Sequence, residues 1–302
     1  MIRSTGTKKI LAVVLAAGFL IIGLNLLAAY ALGKYYTTGF LLSSDFVTTA
    51  GPEPIYTWQP NLKHRFNAAF NVTLTTNAAG YRTHPFTSPD GKRRLVLLGD
   101  SISFGVFLPE EENLAGQIEK ISGARGAAIE VFNLGIPTYN LRQYAESYRR
   151  YGKDLQPDTV VLQTEPGDFR DPPTLVLRPW IRKIPLLTWL LLRYHRSRPF
   201  VDTSAAGLAT YREIVEDCAK RNARLIVVYF PYLIPNPFNN EWRQDKERFE
   251  SHGAPVVDVA SLLATVNPDL TAFRVRPEDP IHPDARAIAL VADRLVTMLA
   301  EN

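Results

Sequence analysis

The sequence predicts an α/β fold, a three-layer α/β/α sandwich around a mainly parallel five-stranded sheet, preceded by one transmembrane helix. From Arg93 onward, short apolar runs alternate with segments of helical periodicity, which is typical of a parallel sheet with helices on both faces. The runs themselves are almost entirely apolar, as in strands that are covered on both sides. An uncharged segment, Ile10–Gly33, stands near the N-terminus.

The composition bounds the class of protein. The chain has 302 residues, of which 46% are hydrophobic and 21% charged, as in a folded protein with one sizeable core. The net charge is +4, and no block of Lys and Arg interleaves with aromatic residues, so we expect no nucleic-acid partner. Cys218 is the only cysteine, which excludes an intramolecular disulfide, and no Cys/His cluster has zinc spacing. We therefore expect neither a metal nor a cofactor.

The segment Ile10–Gly33 predicts a membrane anchor. Its only strongly polar side chain is Asn25, and it exceeds the roughly 20 residues that cross a hydrocarbon layer. The basic residues before it are Arg3, Lys8 and Lys9, whereas Lys34 alone follows directly. The positive-inside bias therefore leaves the N-terminus in the cytoplasm and residues 35–302 outside it.

A cleaved signal peptide is the alternative, because Ala29-Tyr30-Ala31 resembles a small-x-small cleavage site. The apolar run is longer than the usual core of about 7–15 residues in such a peptide, so we favour the anchor. Both interpretations put the remaining chain outside the cytoplasm. The predicted organisation is a cytoplasmic tip and anchor over 1–34, an extended leader packing on the domain over 35–92, and the domain itself over 93–302.

The leader is rich in Thr, Asn and Pro, with short β-like pieces such as Phe70–Thr75. The predicted strands of the domain are Leu95–Leu98, Ala128–Leu134, Thr159–Leu162, Leu225–Phe230 and Pro255–Val259. The predicted helices are Glu110–Ile121, Tyr139–Leu155, Ala206–Arg221 and Asp284–Leu299. Active sites of parallel sheets lie beyond the carboxyl ends of the strands, and Ser101 follows the first strand of this series.

An insertion at about 172–203 interrupts the alternation. Pro179–Pro199 carries a mostly apolar run, Ile184–Leu192, followed by several basic residues. The run is too short to cross a membrane. We expect a helix that packs its apolar side on the domain; the alternatives are a lid or a surface that rests on the anionic outer face of the bilayer.

Three short motifs carry the residues for nucleophilic catalysis. Ser101 stands in Gly99-Asp100-Ser101 at a predicted strand end, but the Gly-x-Ser-x-Gly elbow of α/β-hydrolases is absent. Asp279 precedes His282 by three residues, so the carboxylate can orient the imidazole that takes the serine proton. Gly135, at the end of the second strand, can offer a backbone N–H to a substrate oxygen.

These motifs, in this order, resemble the blocks of the SGNH/GDSL hydrolase superfamily, over about Arg93–Leu299. The resemblance implies a flavodoxin-like SGNH fold, Ser101 as nucleophile, and a triad completed by Asp279 and His282. It also implies that the N–H groups of Ser101 and Gly135 bind the oxyanion. Thr76–Arg82 is similar to the leader of membrane-anchored bacterial members.

The third block departs from the family pattern. Where the family has Gly-x-Asn-Asp, this chain has Glu165-Pro166-Gly167-Asp168. Asp168 aligns with the family's Asp, but Gly167 replaces the Asn whose side chain completes the oxyanion hole. The Gly167 N–H, Asn140 or Gln163 are the candidates to replace that donor.

Other residues near these motifs have weaker assignments. The candidate substrate contacts are Asp100, Asn140, Glu165 and Asp168. A serine after Gly-Asp at a helix start often serves only as an N-cap, and that structural interpretation of Ser101 stands beside the catalytic one. The remaining histidines, which lie outside the motifs, are assigned to structure or surface.

The sequence therefore predicts an extracytoplasmic serine esterase, or an O-acyltransferase that uses the same acyl-enzyme. Its expected partners are an acylated small molecule, glycan or lipid, and the membrane through the N-terminal helix. The alternative is a non-catalytic SGNH-fold protein that binds a glycan or an envelope component, for which Gly167 is the main support.

Overall fold

The structure is a computed structural model that describes residues 4–35, 46–48, 55–67, 71–88, 91–169, 179–197 and 204–301. The chain forms two compact units. The first comprises Met1–Phe46 and Leu175–Phe200, and the second comprises Val47–Thr174 and Val201–Asn302.

Helices and strands follow one another along the chain. The strands are β1 (Phe46–Thr48), β2 (Tyr56–Trp58), β3 (Arg65–Asn67), β4 (Val72–Leu74), β5 (Arg93–Leu98), β6 (Ile129–Asn133), β7 (Thr159–Thr164), β8 (Arg224–Tyr229) and β9 (Val256–Asp258). The helices are α1 (Ser4–Tyr35), α2 (Ser101–Phe104), α3 (Leu114–Ala124), α4 (Leu141–Arg150), α5 (Pro179–Arg182), α6 (Pro185–Ser197), α7 (Ser204–Lys220), α8 (Asn240–Glu250), α9 (Val259–Ala264) and α10 (Ala285–Ala300).

The second unit is built on a five-stranded sheet in the order β6-β5-β7-β8-β9. Each neighbouring pair is parallel. The apolar runs Leu95–Leu98, Val160–Leu162 and Ile226–Val228 are buried throughout, because helices cover the sheet. The α/β sandwich with a parallel five-stranded sheet, expected from the alternating pattern, is confirmed.

The helices differ from the expected ones at their ends. The segment expected as one helix from Glu110 divides into a 3-10 turn and α3, because the Asn113 side chain caps α3 by accepting from the Gly116 N–H at 2.9 Å. Likewise Asn140 caps α4, so α4 begins after the expected position. Helix α8 was not expected at all, since it is rich in charged and polar residues.

The leader contributes two short two-stranded pieces, of which the β3–β4 pair is antiparallel. Strand β3 pairs with β4, which lies inside the β-like piece Phe70–Thr75, and β1 pairs with β2. The Trp58 ring stacks on Phe104 of α2 with centroids 5.5 Å apart, and the Tyr81 hydroxyl lies 2.8 Å from Ser147 Oγ. The leader residues therefore pack directly around the helix that carries Ser101.

The first unit contains α1 together with the insertion helices α5 and α6. The segment Lys9–Ala31 of α1 is long and apolar enough to span a membrane. Helix α6 packs along α1. The insertion groups with α1 in the first unit, and its expected packing on the sheet domain stays a prediction.

Candidate active site

Ser101 occupies the sharp turn between β5 and α2. It is the first residue of α2, and Asp100 is the N-cap, whose side chain accepts from the Ile102 N–H at 2.9 Å. The turn needs a glycine at position 99, because a Cβ there would lie 2.3 Å from Ser103 Oγ and 2.4 Å from Gln163 Oε1. Since Asp100 supplies the cap, the interpretation of Ser101 as an N-cap is not supported.

Ser101, His282 and Asp279 form a continuous hydrogen-bonded chain. Ser101 Oγ lies 2.9 Å from His282 Nε2, and His282 Nδ1 lies 2.7 Å from Asp279 Oδ2. The imidazole and carboxylate side chains are each 15% exposed, so solvent can reach a site that is otherwise enclosed. A carboxylate on Nδ1 leaves Nε2 as the basic nitrogen that faces the serine.

The Asp279 carboxylate is held in its ionised form. Burial raises its pKa, but hydrogen bonds from the His282 ring and from the N–H groups of Ile281 and His282 outweigh burial and lower the pKa to about 2. The carboxylate therefore stays charged at neutral pH and can stabilise an imidazolium.

Backbone hydrogen bonds fix the segment that carries Asp279 and His282. The Leu233 N–H, from the loop after β8, donates to the Pro280 carbonyl at 2.6 Å, and the Val275 N–H donates to the His282 carbonyl at 3.0 Å. This loop therefore anchors the segment with Asp279 and His282 near the carboxyl edge of the sheet.

The expected oxyanion donors differ in their hydrogen bonds. Among the described residues, none accepts a hydrogen bond from the Ser101 N–H. The Gly135 N–H, in contrast, donates to Asn133 Oδ1 at 2.9 Å, and a Cβ on Gly135 would lie 2.7 Å from Ser103 Cβ. Gly135 is thus a close-packing position against α2.

The backbone N–H of Gly167, a candidate oxyanion donor, has a hydrogen-bond partner within the protein. Its N–H donates to Asp245 Oδ2 at 3.1 Å, and its φ is +103°, a conformation that favours glycine. Asp245 is 1% exposed. The N–H of Gly167 is therefore occupied by a buried carboxylate, and the glycine has a conformational reason to stand there.

Of the four candidate substrate contacts, three have hydrogen-bond partners within the protein, and all four stay predictions. Asp100 caps α2, and burial raises the pKa of its carboxyl despite the opposing hydrogen bond from Ile102. Asn140 forms a capping box with Gln143 at the start of α4. Asp168 is 3% exposed and accepts from the Glu165 N–H at 3.1 Å within a turn. Glu165 is half-buried and stays a candidate contact.

Gln163, a candidate replacement donor, accepts hydrogen bonds from the turn that carries Ser101. Its Oε1 accepts from the N–H groups of Asp100 and Ser103 at 3.1 and 3.2 Å and from Ser103 Oγ at 3.0 Å. Its Nε2 is buried, with no partner among the residues that the structure describes. The Gln163 amide oxygen therefore holds the first turn of α2 against β7.

Two residues that the sequence analysis did not assign contact α2 or His282. Arg82, 2% exposed, donates to the carbonyls of Phe104 and Gly105 at 3.0 and 3.1 Å. Phe107 has a φ of +67°, and its ring meets the His282 ring edge-on with centroids 5.6 Å apart. Arg82 stood inside the quoted motif Thr76–Arg82, whereas no pattern in the sequence indicated Phe107.

The described part of the chain contains no group of three or more His, Cys, Asp or Glu side chains arranged to hold a metal ion.

Solved structures match the fold of the chain, although no protein-family model matches it and no curated protein matches its sequence. An acetyl xylan esterase is 13% identical, with 68% of this chain and 99% of that chain covered and a TM-score of 0.50. A protein of the G-D-S-L family from Desulfitobacterium hafniense DCB-2 is 16% identical, with coverages of 68% and 99% and a TM-score of 0.46. A catalytic mutant of an acetylxylan esterase from Geobacillus stearothermophilus is 17% identical, with coverages of 70% and 95% and a TM-score of 0.49. The chain has the fold of the SGNH/GDSL hydrolases, the superfamily that its motifs resemble.

Proposed function

We propose that this protein is an extracytoplasmic serine esterase of the SGNH/GDSL type, which hydrolyses O-acyl esters or transfers their acyl group. The observation that carries the proposal is the hydrogen-bonded chain from Ser101 Oγ to His282 Nε2 at 2.9 Å and from His282 Nδ1 to Asp279 Oδ2 at 2.7 Å. A serine hydroxyl needs an oriented base within hydrogen-bond reach to act as a nucleophile.

Acylation begins when Ser101 Oγ attacks the ester carbonyl carbon and His282 Nε2 takes the hydroxyl proton. The resulting tetrahedral oxyanion collapses, the bond to the alkoxy oxygen breaks, and His282 returns the proton to the leaving alcohol. Asp279 keeps the imidazole in the required tautomer and stabilises its charge while it holds the proton. An acyl group on Ser101 and a free alcohol result.

Deacylation repeats these steps with a second nucleophile. Water, activated by His282, releases a carboxylic acid and regenerates Ser101, which makes the protein an esterase. An acceptor hydroxyl instead of water gives a new ester and makes it an O-acyltransferase. Both reactions use the same acyl-enzyme.

The oxyanion is stabilised less completely than the family pattern implies. We assign the Ser101 N–H as one donor. The Gly135 N–H becomes a second donor only by exchanging its bond to Asn133 Oδ1. We assign no donor role to Gly167. The loss of one donor typically costs about 10²–10³ in turnover, so we expect slow hydrolysis of simple esters.

The proposed location follows from the N-terminal helix. A span at Lys9–Ala31, with more basic residues before it than directly after it, supports an anchor with its N-terminus inside and the sheet domain outside the cytoplasm. The proposed substrates are O-acyl esters of envelope or secreted glycans, or lipid esters. The acetyl xylan esterases among the structural matches are consistent with an acyl-glycan substrate.

Hydrolysis of 4-nitrophenyl acetate by the full chain in detergent tests this function. We expect turnover that falls at least about 10³-fold in Ser101→Ala. Ser251→Ala is the matched control, because the Ser251 hydroxyl is exposed and bonds only locally, to the Arg248 carbonyl and His252 Nδ1. Equal turnover in wild type and Ser101→Ala contradicts the proposal.

A non-catalytic glycan-binding function is the second candidate. The hydrogen bonds that occupy the N–H groups of Gly135 and Gly167 favour it, because they leave one described oxyanion donor. An O-acetylated glycan that binds wild type and Ser101→Ala equally, with no turnover by either, would support this function over the esterase.

A further inference from the structure

The polar residue within the apolar span of α1 binds the insertion. Asn25 Nδ2 donates to the Ile21 carbonyl at 2.9 Å, and Asn25 Oδ1 accepts from the Leu186 N–H at 3.2 Å. Leu186 is the second residue of α6, where backbone N–H groups have no acceptor within their own helix. Asn25 therefore satisfies a polar group that could not be left bare in hydrocarbon.

The position of this bond sets the depth of α6. Asn25 stands six residues before the end of the span at Ala31, and a rise of 1.5 Å per residue puts it about 9 Å inside that end. Helix α6 has 13 residues, fewer than the roughly 20 needed to cross the membrane. Ala28, beyond Asn25, is 5% exposed, whereas Ile21, before it, is 55% exposed, so α6 runs from Asn25 toward the outer end of α1. The first turns of α6 therefore lie in the outer half of the bilayer, and its last turns lie beyond it.

Most of the large exposed side chains of α5, α6 and the turn between them are apolar or aromatic, and exposed Lys183 in that turn has a long stem that can carry its ammonium toward the headgroups. Thr188 and Leu192 are buried, whereas Trp180, Ile184, Leu190 and Tyr194 are 56%, 41%, 49% and 63% exposed. Trp and Tyr are enriched at the membrane–water interface, and Arg193, whose guanidinium lies over Trp189, can reach lipid phosphates. Continuity with the apolar surface of α1 points to lipid as the occupant of this surface.

We propose that α5 and α6 form a second membrane-inserted element, a short hairpin in the outer leaflet that is pinned to α1 by Asn25. The inference rests on the membrane-spanning role proposed for α1. It assigns the exposed apolar side chains of the insertion to contact with lipid acyl chains and excludes a soluble lid.

Cysteine labelling of the full chain in phosphatidylethanolamine–phosphatidylglycerol vesicles tests the hairpin. Leu190→Cys is compared with Val266→Cys, because Val266 is an exposed apolar residue (61%) of the second unit; native Cys218 is buried and serves as background. With a charged maleimide we expect Leu190→Cys to react at least about tenfold more slowly, since hydrocarbon excludes the reagent.

Similar reaction rates for Leu190→Cys and Val266→Cys in vesicles overturn the hairpin proposal. The intact mass of the purified chain separates this failure from a failure of the anchor, because cleavage near Ala31 would remove α1. Esterase activity is measured independently, so neither outcome affects the proposed chemistry.

A separate observation concerns a cation beside the triad. The Arg276 guanidinium lies 3.9 Å from the centroid of the Phe107 ring, and that ring contacts the His282 ring edge-on. Phe107 holds this place through a strained φ of +67°, and strain in a bulky residue concentrates at functional sites. Phe107 therefore bridges an exposed positive charge and the base of the proposed reaction.

The neighbouring arginines are used differently. Arg274 donates to the carbonyls of Leu233 and Pro277, and Arg286 binds the Asp284 carboxylate. Arg276 is exposed, and within the described residues its guanidinium has no hydrogen bond or ion pair. Its donors are thus available to a ligand that approaches Ser101.

We infer that Arg276 recognises a negatively charged substituent, such as a carboxylate, on the acyl or alcohol part of the ester. This inference rests on the proposed esterase function. Guanidinium binds carboxylate and phosphate groups with paired N–H donors, and the Phe107 face fixes its orientation. The substrate class is therefore an anionic ester.

Two 4-nitrophenyl esters test Arg276: the neutral acetate and the mono-succinate, which carries a carboxylate. We expect Arg276→Gln to lower kcat/KM for the succinate about two- to fivefold more than for the acetate, as for one exposed ion pair. Arg276→Lys should retain most of the preference. Arg286→Gln, at an arginine that also stacks on a phenylalanine, is the matched control.

Equal effects of Arg276→Gln on both esters, or none, overturn the charge assignment while leaving the esterase proposal intact. Hydrolysis of neither ester by the wild type overturns the esterase proposal and this inference with it.

Discussion

Arg82 of the leader donates a hydrogen bond from Nη1 to the carbonyl of Phe104, the last residue of α2, at 3.0 Å. The same guanidinium also reaches the carbonyls of Gly105 and Leu108 at 3.1 Å. The leader thus satisfies the carbonyl end of the short helix whose first residue is Ser101. Arg82 of the leader therefore helps to hold the short helix that begins at Ser101.

Arg82→Met tests this positioning. The substitution keeps much of the buried apolar volume but leaves three carbonyls without their donor, so we expect a loss of at least about 2 kcal/mol in the free energy of unfolding. Thermal unfolding in detergent measures it. Arg286→Met, at an exposed arginine, should change stability little. Equal losses of stability in both variants would contradict a stabilising role of the Arg82 hydrogen bonds.

Gly99→Ala tests the close packing of Gly99 against Ser103 and Gln163 in the turn before Ser101. The added Cβ would lie 2.3 Å from Ser103 Oγ, so we expect a cost of about 1–3 kcal/mol and displacement of Ser101. The control is Gly123→Ala in α3, where nothing lies within 4 Å of the added Cβ and helix propensity predicts a gain of about 0.5–1 kcal/mol. Equal changes in the free energy of unfolding of the two variants would contradict close packing at Gly99.

The depressed pKa of Asp279 predicts a pH-dependent stability. A carboxyl whose pKa falls from 3.8 to about 2 on folding stabilises the folded protein fully above about pH 4, and this contribution is lost as the pH falls through 2. We expect Asp279→Asn to have a lower Tm than wild type at pH 5. The difference should shrink below pH 4. A difference that grows on acidification would contradict the assignment.

Gly167→Asn tests whether the family's missing side chain can be restored. The φ of +103° and the bond to Asp245 oppose any side chain at this position. We expect lower stability and no gain in turnover of 4-nitrophenyl acetate. A rate increase of tenfold or more would show that the missing donor alone limits activity.

The α/β fold could be predicted because the buried strands are nearly uninterrupted apolar runs. The grouping of Ser101 with Asp279 and His282 could be predicted because the short motifs that contain them follow one another in the order of the SGNH/GDSL blocks. The uses of other polar residues could not. Asn and Asp side chains can cap a helix or contact a substrate. The sequence alone does not show that Asp100 and Asn140 are helix caps; their hydrogen bonds do. Gly135 lacks any side chain that could indicate which neighbour its N–H meets.

Helix α8 was missed although its buried residues Trp242, Asp245 and Phe249 have helical spacing. The many charged residues of α8 made that spacing hard to recognise in the sequence. The carboxylate of Asp245 is buried and accepts a hydrogen bond from the Gly167 N–H. The pairing of α6 with α1 joins segments far apart in the chain, and Asn25 was the one sequence signal for it.

The most direct test of the central claim is mass spectrometry of the full chain after reaction with a fluorophosphonate ester, which phosphonylates activated serines. The account predicts one adduct on Ser101 that is absent from Ser101→Ala and forms much more slowly in His282→Ala. No adduct on Ser101, or equal labelling of wild type and His282→Ala, would contradict the assignment of Ser101 as a nucleophile activated by His282.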